Sequence, residues 1–134
     1  MREIIFKAKR KHSPHEWITG DLNHIDGSVF IFPRTEDFPL NSPDWFEVNP
    51  STVCQYTEVN DYFGNKIFDY DRLSFETVSI TYFIKHENGA FYIFCEQHKY
   101  ADGTPMRWGR LGRILDADVK KGLPHIQVIG NIHD

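Results

Sequence analysis

The stretch TVSITYFIKHENGAFYIFC, residues 77–95, decides the fold. Two runs rich in β-branched and aromatic residues flank Asn88-Gly89. That dipeptide tolerates positive φ at both central positions of a type I′ turn, so the spacing predicts a two-residue β-hairpin. In that register Glu87 faces Ala90, Ile84 faces Ile93, Phe83 faces Phe94 and Tyr82 faces Cys95. Side chains alternate across a strand, which puts Ile80, Tyr82, Ile84, Ile93 and Cys95 on one side, the expected core. Thr81, Phe83, Lys85, Tyr92, Phe94 and Glu96 fall on the other. There Phe83, Tyr92 and Phe94 make a surface too aromatic to stand bare in a small domain, and they are the candidate interface residues.

Working outward, Trp17 to Ile25 and Ser28 to Phe32 flank Asp26-Gly27, a second hairpin signal with poorer alternation. Glu3 to Lys9 reads as a strand with Ile4 and Phe6 on one face and Glu3, Ile5 and Lys7 on the other. His125 to Ile129 reads as the last strand, and Gly130 after it suits a bulge. Pro33, Pro39, Pro43 and Pro50 exclude a long helix or a central strand from the intervening segment. One helical turn is expected there, with Ser42 as cap, Pro43 at the first helical position and Asp44 at the positive end of the dipole. A second is expected at Leu115 to Lys121, before Gly122 and Pro124 stop it. The expected fold is mainly β: a small barrel-like or sandwich domain with hairpins, a long Pro-rich loop and one or two short helical turns. At 134 residues the chain is one domain, divisible into an N-terminal subdomain over residues 1–50 and a C-terminal barrel-like portion over residues 51–134.

Fifteen Lys and Arg against 19 Asp and Glu leave a net charge of -4, which argues against general coating of a polyanion. The charge is segregated. Residues 1–15 carry Arg2, Lys7, Lys9, Arg10 and Lys11 against Glu3 alone, whereas Glu36 to Glu76 holds only Lys66 and Arg72 among many acids. Solvated faces explain both runs without a ligand. No apolar run reaches the length of a spanning helix, and the short Ile4-Ile5-Phe6 patch is too brief for a secretory signal, so a cytoplasmic location without membrane contact is expected. Cys54 and Cys95 are then expected to be reduced, and neither belongs to a CxxC pair.

Val48-Asn49-Pro50-Ser51-Thr52-Val53-Cys54-Gln55-Tyr56-Thr57 resembles the V-x-P-x-T-V-x-Q-Y-T motif of the YopX-like proteins of phages and prophages. Asp61, Gly64, Lys66, Ile67 and Phe68 follow that family's D-x-x-G-x-x-I-Y pattern, and Asp71 falls where it has the Asp of E-G-D. Val128-Ile129-Gly130-Asn131-Ile132 is similar to its closing V-I-G-N-I, and Arg2-Glu3-Ile4 through Phe6 to its opening R-E-I-x-F. There are departures. Glu58 and Tyr70 stand where the family has glycines, so two turns must be built differently or under strain, and His133 stands where it has Tyr. The resemblance implies a mostly β fold with a barrel-like portion, a phage or prophage origin and self-association. It implies no activity.

Read from the residues alone, Pro50 fixes one φ and Thr52 and Val53 favour extended chain. Gln55, Tyr56 and Thr57 then place three hydrogen-bonding side chains in succession, with Tyr56 opposing the other two across a strand. This cluster, with Asp71, either binds a ligand or pins the loop that follows by bonding Asp61 or the Phe63-Gly64-Asn65 turn. Asp61, Asp69 and Asp71 are close enough in sequence to face one another as an acid/base pair, but acidic turns look the same. His12 and His15 have HxxH spacing, yet Pro14 lies between them and lysines surround them, so no metal is assigned. Neither a GxSxG elbow nor a GxxxxGK[ST] or GxGxxG phosphate loop occurs, and no cofactor is expected.

Arg107-Trp108-Gly109-Arg110-Leu111-Gly112-Arg113 spaces three guanidinium groups at intervals of three around one aromatic. Arg107, Arg110 and Arg113 can fork onto phosphates and Trp108 can stack on a base, or the arginines can pair with the acidic middle of the chain or of a neighbouring subunit. Together the residues point to a non-enzymatic, self-associating interaction module, a homo-oligomer with a phage or host protein as partner. A nucleic-acid accessory protein working through the Arg/Trp stretch is the alternative, and a small hydrolase is a distant third.

Overall fold

Strand dominates the computed structural model, which describes residues 4–33, 45–75, 80–112 and 126–134. The chain forms two compact units, Met1–Tyr56 and Thr57–Asp134.

The first unit contains β1 (Phe6–Arg10), β2 (Ser13–Ile25), β3 (Ser28–Pro33), β4 (Phe46–Glu47) and the start of β5 (Cys54–Asn60), in the order β4-β3-β2-β1-β5. All pairs are antiparallel. Asp26 at φ 50° and Gly27 at φ 83° make the tight turn between β2 and β3, with Ile25 opposite Ser28. The Asp-Gly dipeptide therefore acts as expected, although β2 begins at Ser13, earlier than the hydrophobic pattern indicated. Within β2 a side chain at Gly20 would run into the Phe32 carbonyl, so the two backbones can approach there only because Gly20 has none. The core of the unit is Ala8, Val29, Ile31 and Val48, packed by Ile18, Leu22 and Val53. Ile5 is buried and Ile4 is 54% exposed.

A single 3-10 turn, Pro50–Thr52, precedes β5. Asn49 caps it by accepting from the Ser51 amide at 3.1 Å, and the Thr52 hydroxyl donates to the Asn49 carbonyl at 2.7 Å while accepting from the Lys9 amide at 2.9 Å. Thr52 is thus helical rather than extended, because its hydroxyl ties the turn to β1. The helical turns expected at Ser42 to Asp44 and at Leu115 to Lys121 lie outside the described residues.

In the second unit, the rest of β5 is followed by β6 (Lys66–Phe68), its neighbour in the sheet order. A five-stranded antiparallel sheet follows, built of β7 (Asp71–Phe75), β8 (Thr81–Glu87), β9 (Ala90–Lys99), β10 (Pro105–Arg110) and β11 (Ile126–Asn131) in the order β10-β9-β8-β7-β11. Asn88 at φ 48° and Gly89 at φ 82° close the β8–β9 hairpin in the register expected from the sequence, with Tyr82 opposite Cys95, Phe83 opposite Phe94 and Ile84 opposite Ile93. Ile84 and Ile93 are sealed in a core with Ile67, Leu73, Leu111 and Ile126. Burial of each such side chain contributes about 1.5–3 kcal/mol. Gly130 sits at a register shift of β11, the bulge its position suggested. The barrel-like expectation does not hold: among the described residues both sheets are open, with edge strands at each end of the strand order.

Both edges of the five-stranded sheet are blunted. On β10, Pro105 and two register shifts interrupt the ladder. On β11, the loop after β5 occupies the ladder positions: the Tyr62 amide donates to the Ile126 carbonyl at 3.2 Å, and the Val128 amide donates to Asp61 Oδ2 at 2.9 Å. Asp61 also accepts from the Phe63 and Asn65 amides at 2.9 and 2.8 Å through Oδ1 and from Asn65 Nδ2 at 3.1 Å through Oδ2. Asp71, fully buried, accepts from the Phe68 amide at 2.8 Å and from Asn131 Nδ2 at 2.9 Å. Glu58 and Tyr70 adopt left-handed backbone at φ 70° and 65°, so the two non-glycine positions are strained rather than rebuilt.

Replacing Asp61 with Ala leaves several backbone donors beside β11 without their acceptor, and urea denaturation is expected to show a loss of about 2–4 kcal/mol. At Glu58 the usual order of residues inverts. Glu58→Gly is expected to hold or raise stability by about 0.5–1 kcal/mol and Glu58→Val to lower it by at least that much, because only glycine meets φ 70° without strain.

Candidate functional site

The hairpin's outer side forms the floor of a groove of about 560 Å³ in the second unit. Across four strands the row runs Arg72, Phe83, Phe94, Arg107. Phe83 and Phe94 stack with ring centroids 5.4 Å apart. The turn between β9 and β10 raises one wall: the Tyr100 amide donates to the Thr104 carbonyl at 2.8 Å, and the Gly103 amide donates to the Tyr100 carbonyl at 2.9 Å. Tyr100, half exposed, and Pro105 line that wall, while Tyr70 and Lys85 belong to the opposite side of the lining.

The two arginines of the row differ in their partners. Arg72 forks onto Glu96, Nε to Oε1 at 2.7 Å and Nη2 to Oε2 at 2.9 Å, and the Thr81 hydroxyl donates to Oε2 at 2.7 Å. Arg107 lies over the Tyr92 ring, 4.6 Å from its centroid, and its nearest ion-pair partner among the described residues is Glu87 Oε2 at 3.9 Å, beyond hydrogen-bond reach. Lys85 Nζ stands 4.0 Å from the other oxygen of Glu87. One carboxylate is therefore shared by two cations, and the rim keeps a positive excess.

The candidate interface residues are thus brought together, though not bare: Phe94 is 7% exposed and Phe83 and Tyr92 are half-buried. Of the Arg/Trp stretch, Arg107 and Trp108 line one small cavity of about 230 Å³ with Tyr82, His98 and Met106. A register shift between Arg107 and Gly109 makes Trp108 an extra residue, and its ring stacks on Tyr82 at 4.9 Å rather than standing between guanidiniums. Arg110 lines a separate cavity with Thr57 and Phe91, and Arg113 lies outside the described residues.

The polar motif residues sit in structural positions. Gln55 pairs with Phe6, and the Tyr56 amide donates to the Ile5 carbonyl at 2.8 Å. The Thr57 hydroxyl donates to the Ile67 carbonyl at 2.7 Å. Asp71 holds a turn. Thr57 thereby ties β5 to β6 across the intervening loop, and Asp61 itself closes the Phe63-Gly64-Asn65 turn. In the described part of the basic N-terminal run, Arg10 pairs with Glu16 at 2.8 Å and Lys11 with Glu47 at 3.0 Å, while the Lys7 and Lys9 ammoniums lie over Trp17 at 4.8 and 5.6 Å.

Among the described residues no group of three His, Cys, Asp or Glu is placed to hold a metal ion, and no helix is long and apolar enough to cross a membrane. Cys54 and Cys95 are free thiols, both buried. Sequence reasoning missed Tyr70, Tyr100 and Pro105 as lining residues, although Asp102-Gly103 was a turn signal that would have placed β10 beside β9. No family model, curated protein or solved structure matches the chain.

The Arg72 fork holds the Glu96 carboxyl below the ordinary glutamate range, against the opposing effect of burial. A depressed carboxyl stabilises the fold above its unfolded pKa, and that contribution disappears as pH falls through the folded value. Asp69 acts in the opposite sense, since burial raises its carboxyl and its contribution is lost as pH rises. Thermal melts between pH 7 and about pH 3 are therefore expected to fall less steeply for Glu96→Gln than for the natural chain.

Proposed function

We propose that this chain is a YopX-like accessory protein of phage or prophage origin that works by binding rather than by catalysis and associates with itself. The observation that carries the binding reading is the groove over Phe83 and Phe94, where an aromatic floor meets charged groups of both signs in Lys85, Glu87 and Arg107. Aromatic and Arg anchors within a mixed polar rim are the composition of protein-binding surfaces. Self-association through a face is favoured over strand addition because both edges of the five-stranded sheet are guarded, by Pro105 and the bulges on β10 and by the Asp61 loop on β11. A face carrying both signs can be self-complementary about a two-fold axis.

The YopX-like reading is supported by the quoted motifs and by one physical coincidence. The two positions where that pattern has glycines, Glu58 and Tyr70, are both left-handed here, the conformation glycine adopts most readily. The motif residues also pair across the chain, the Val128 amide donating to Asp61 and the Asn131 side chain to Asp71, which fastens β11. A cytoplasmic location and a phage or host protein as further partner belong to the same proposal.

The nucleic-acid alternative through Arg107, Trp108, Arg110 and Arg113 draws on the 46% exposure of Trp108 and the small cavity it lines with Arg107. Light scattering coupled to size exclusion is expected to give a multiple of 15.8 kDa at micromolar concentration, reduced by Tyr92→Lys. A single mass of 15.8 kDa throughout that range overturns self-association.

A further inference from the structure

We propose that the groove over Phe83 and Phe94 receives a partner segment in which an aromatic side chain is followed by an acidic one, the ring on the phenyl floor and the carboxylate on the Arg107 guanidinium. This rests on the reading of the groove as a binding surface and names what binds there.

The row Arg72, Phe83, Phe94, Arg107 places a guanidinium at each end of an aromatic pair. Arg72 is saturated by the two-pronged bond to Glu96. Arg107 has the same planar fork, and among the described residues no carboxylate lies inside hydrogen-bond distance, since Glu87 Oε2 is 3.9 Å away and its other oxygen is drawn toward Lys85 at 4.0 Å. Stacking on Tyr92 at 4.6 Å fixes the plane of the guanidinium and leaves its N–H edge to a ligand. A carboxylate accepts that edge in the two-pronged geometry that Arg72 and Glu96 already display in this chain. The charge balance agrees: Lys85 and Arg107 outnumber Glu87, so an anionic segment is favoured over a cationic one.

The ring follows from the floor. Phe83 is half-buried over Phe94, and a third ring extends their stack, a contact contributing beyond its buried area. A groove of about 560 Å³ accommodates one aromatic side chain with its neighbours, and the Tyr100 wall closes one flank.

The probe is a capped tripeptide of glutamate, phenylalanine and glutamate, titrated into the full chain labelled with nitrogen-15. Two control peptides replace both glutamates by glutamine or the phenylalanine by alanine. Saturable shifts at the Phe83, Phe94 and Arg107 amides are expected, with each control at least about tenfold weaker, as the loss of a charge-assisted pair or of a stacked ring requires. Arg107→Gln, an exposed position on an edge strand, is expected to weaken the acidic peptide about tenfold and to leave the glutamine peptide unchanged. Equal binding of the glutamine peptide, shifts confined to other residues, or no saturable shift up to about 10 mM overturns the proposal. The mass measured in the same buffer separates the two readings. A monomer that binds the acidic peptide supports this inference without self-association; an oligomer that ignores the peptide is diluted until the mass is that of one chain, and peptide still unbound there overturns the inference while self-association stands.

Discussion

The carboxylates of Asp61 and Asp71 accept hydrogen bonds from groups more than fifty residues away along the chain, and the second unit is built around those reaches. Asp61 bonds Val128 and Asp71 bonds Asn131, so β11 is fastened to the β5–β6 loop and to the turn before β7. A buried carboxylate without donors is costly, whereas one that accepts several amide bonds specifies where those amides must lie. The strain at Tyr70 is held in place by the same structure: its carbonyl accepts from the Ile132 amide at 2.9 Å, its amide donates to the Ile84 carbonyl at 2.8 Å, and its ring meets His133 edge-on. Left-handed backbone at a tyrosine persists because its surroundings over-determine it.

The guarded edges and the open face have one origin. Ladder positions at β11 are filled by the Asp61 loop, and those at β10 are broken by Pro105 and the bulges, which leaves the outer face as the least obstructed part of the sheet. The inner face is consumed by the Ile84 and Ile93 core. The outer face carries Phe83, Tyr92 and Arg107, and there the row ends in a loosely paired guanidinium on β10 and a fully engaged one on β7. That contrast between Arg72 and Arg107 is the observation on which the proposed binding rim rests.

The β8–β9 hairpin was legible because Asn88-Gly89 carries its own conformational preference and the residues beside it alternate cleanly. Its register, core face and aromatic face all follow from that local fact. The same holds for Asp26-Gly27, but at the far end of β2 the hydrophobic pattern stops short of the strand, since Ser13 pairs with Arg10 beyond its reach. Thr52, with a side chain suited to strands, became helical because its hydroxyl found Asn49 and Lys9. The even spacing of Arg107 and Arg110 is interrupted by one bulge at Trp108, which is invisible in a spacing pattern.

The amino-acid sequence by itself determined the strand class, both tight turns and the division of the main hairpin into an apolar and an aromatic side, because turn dihedrals and side-chain alternation are properties of neighbouring residues. Only the tertiary structure decided that the sheets stay open, that Asp61 and Asp71 serve as fasteners, and that Tyr70, Phe83 and Arg107 share a groove. Those outcomes depend on hydrogen bonds and packing between residues far apart in the chain, and their geometry exists only once the strands have paired.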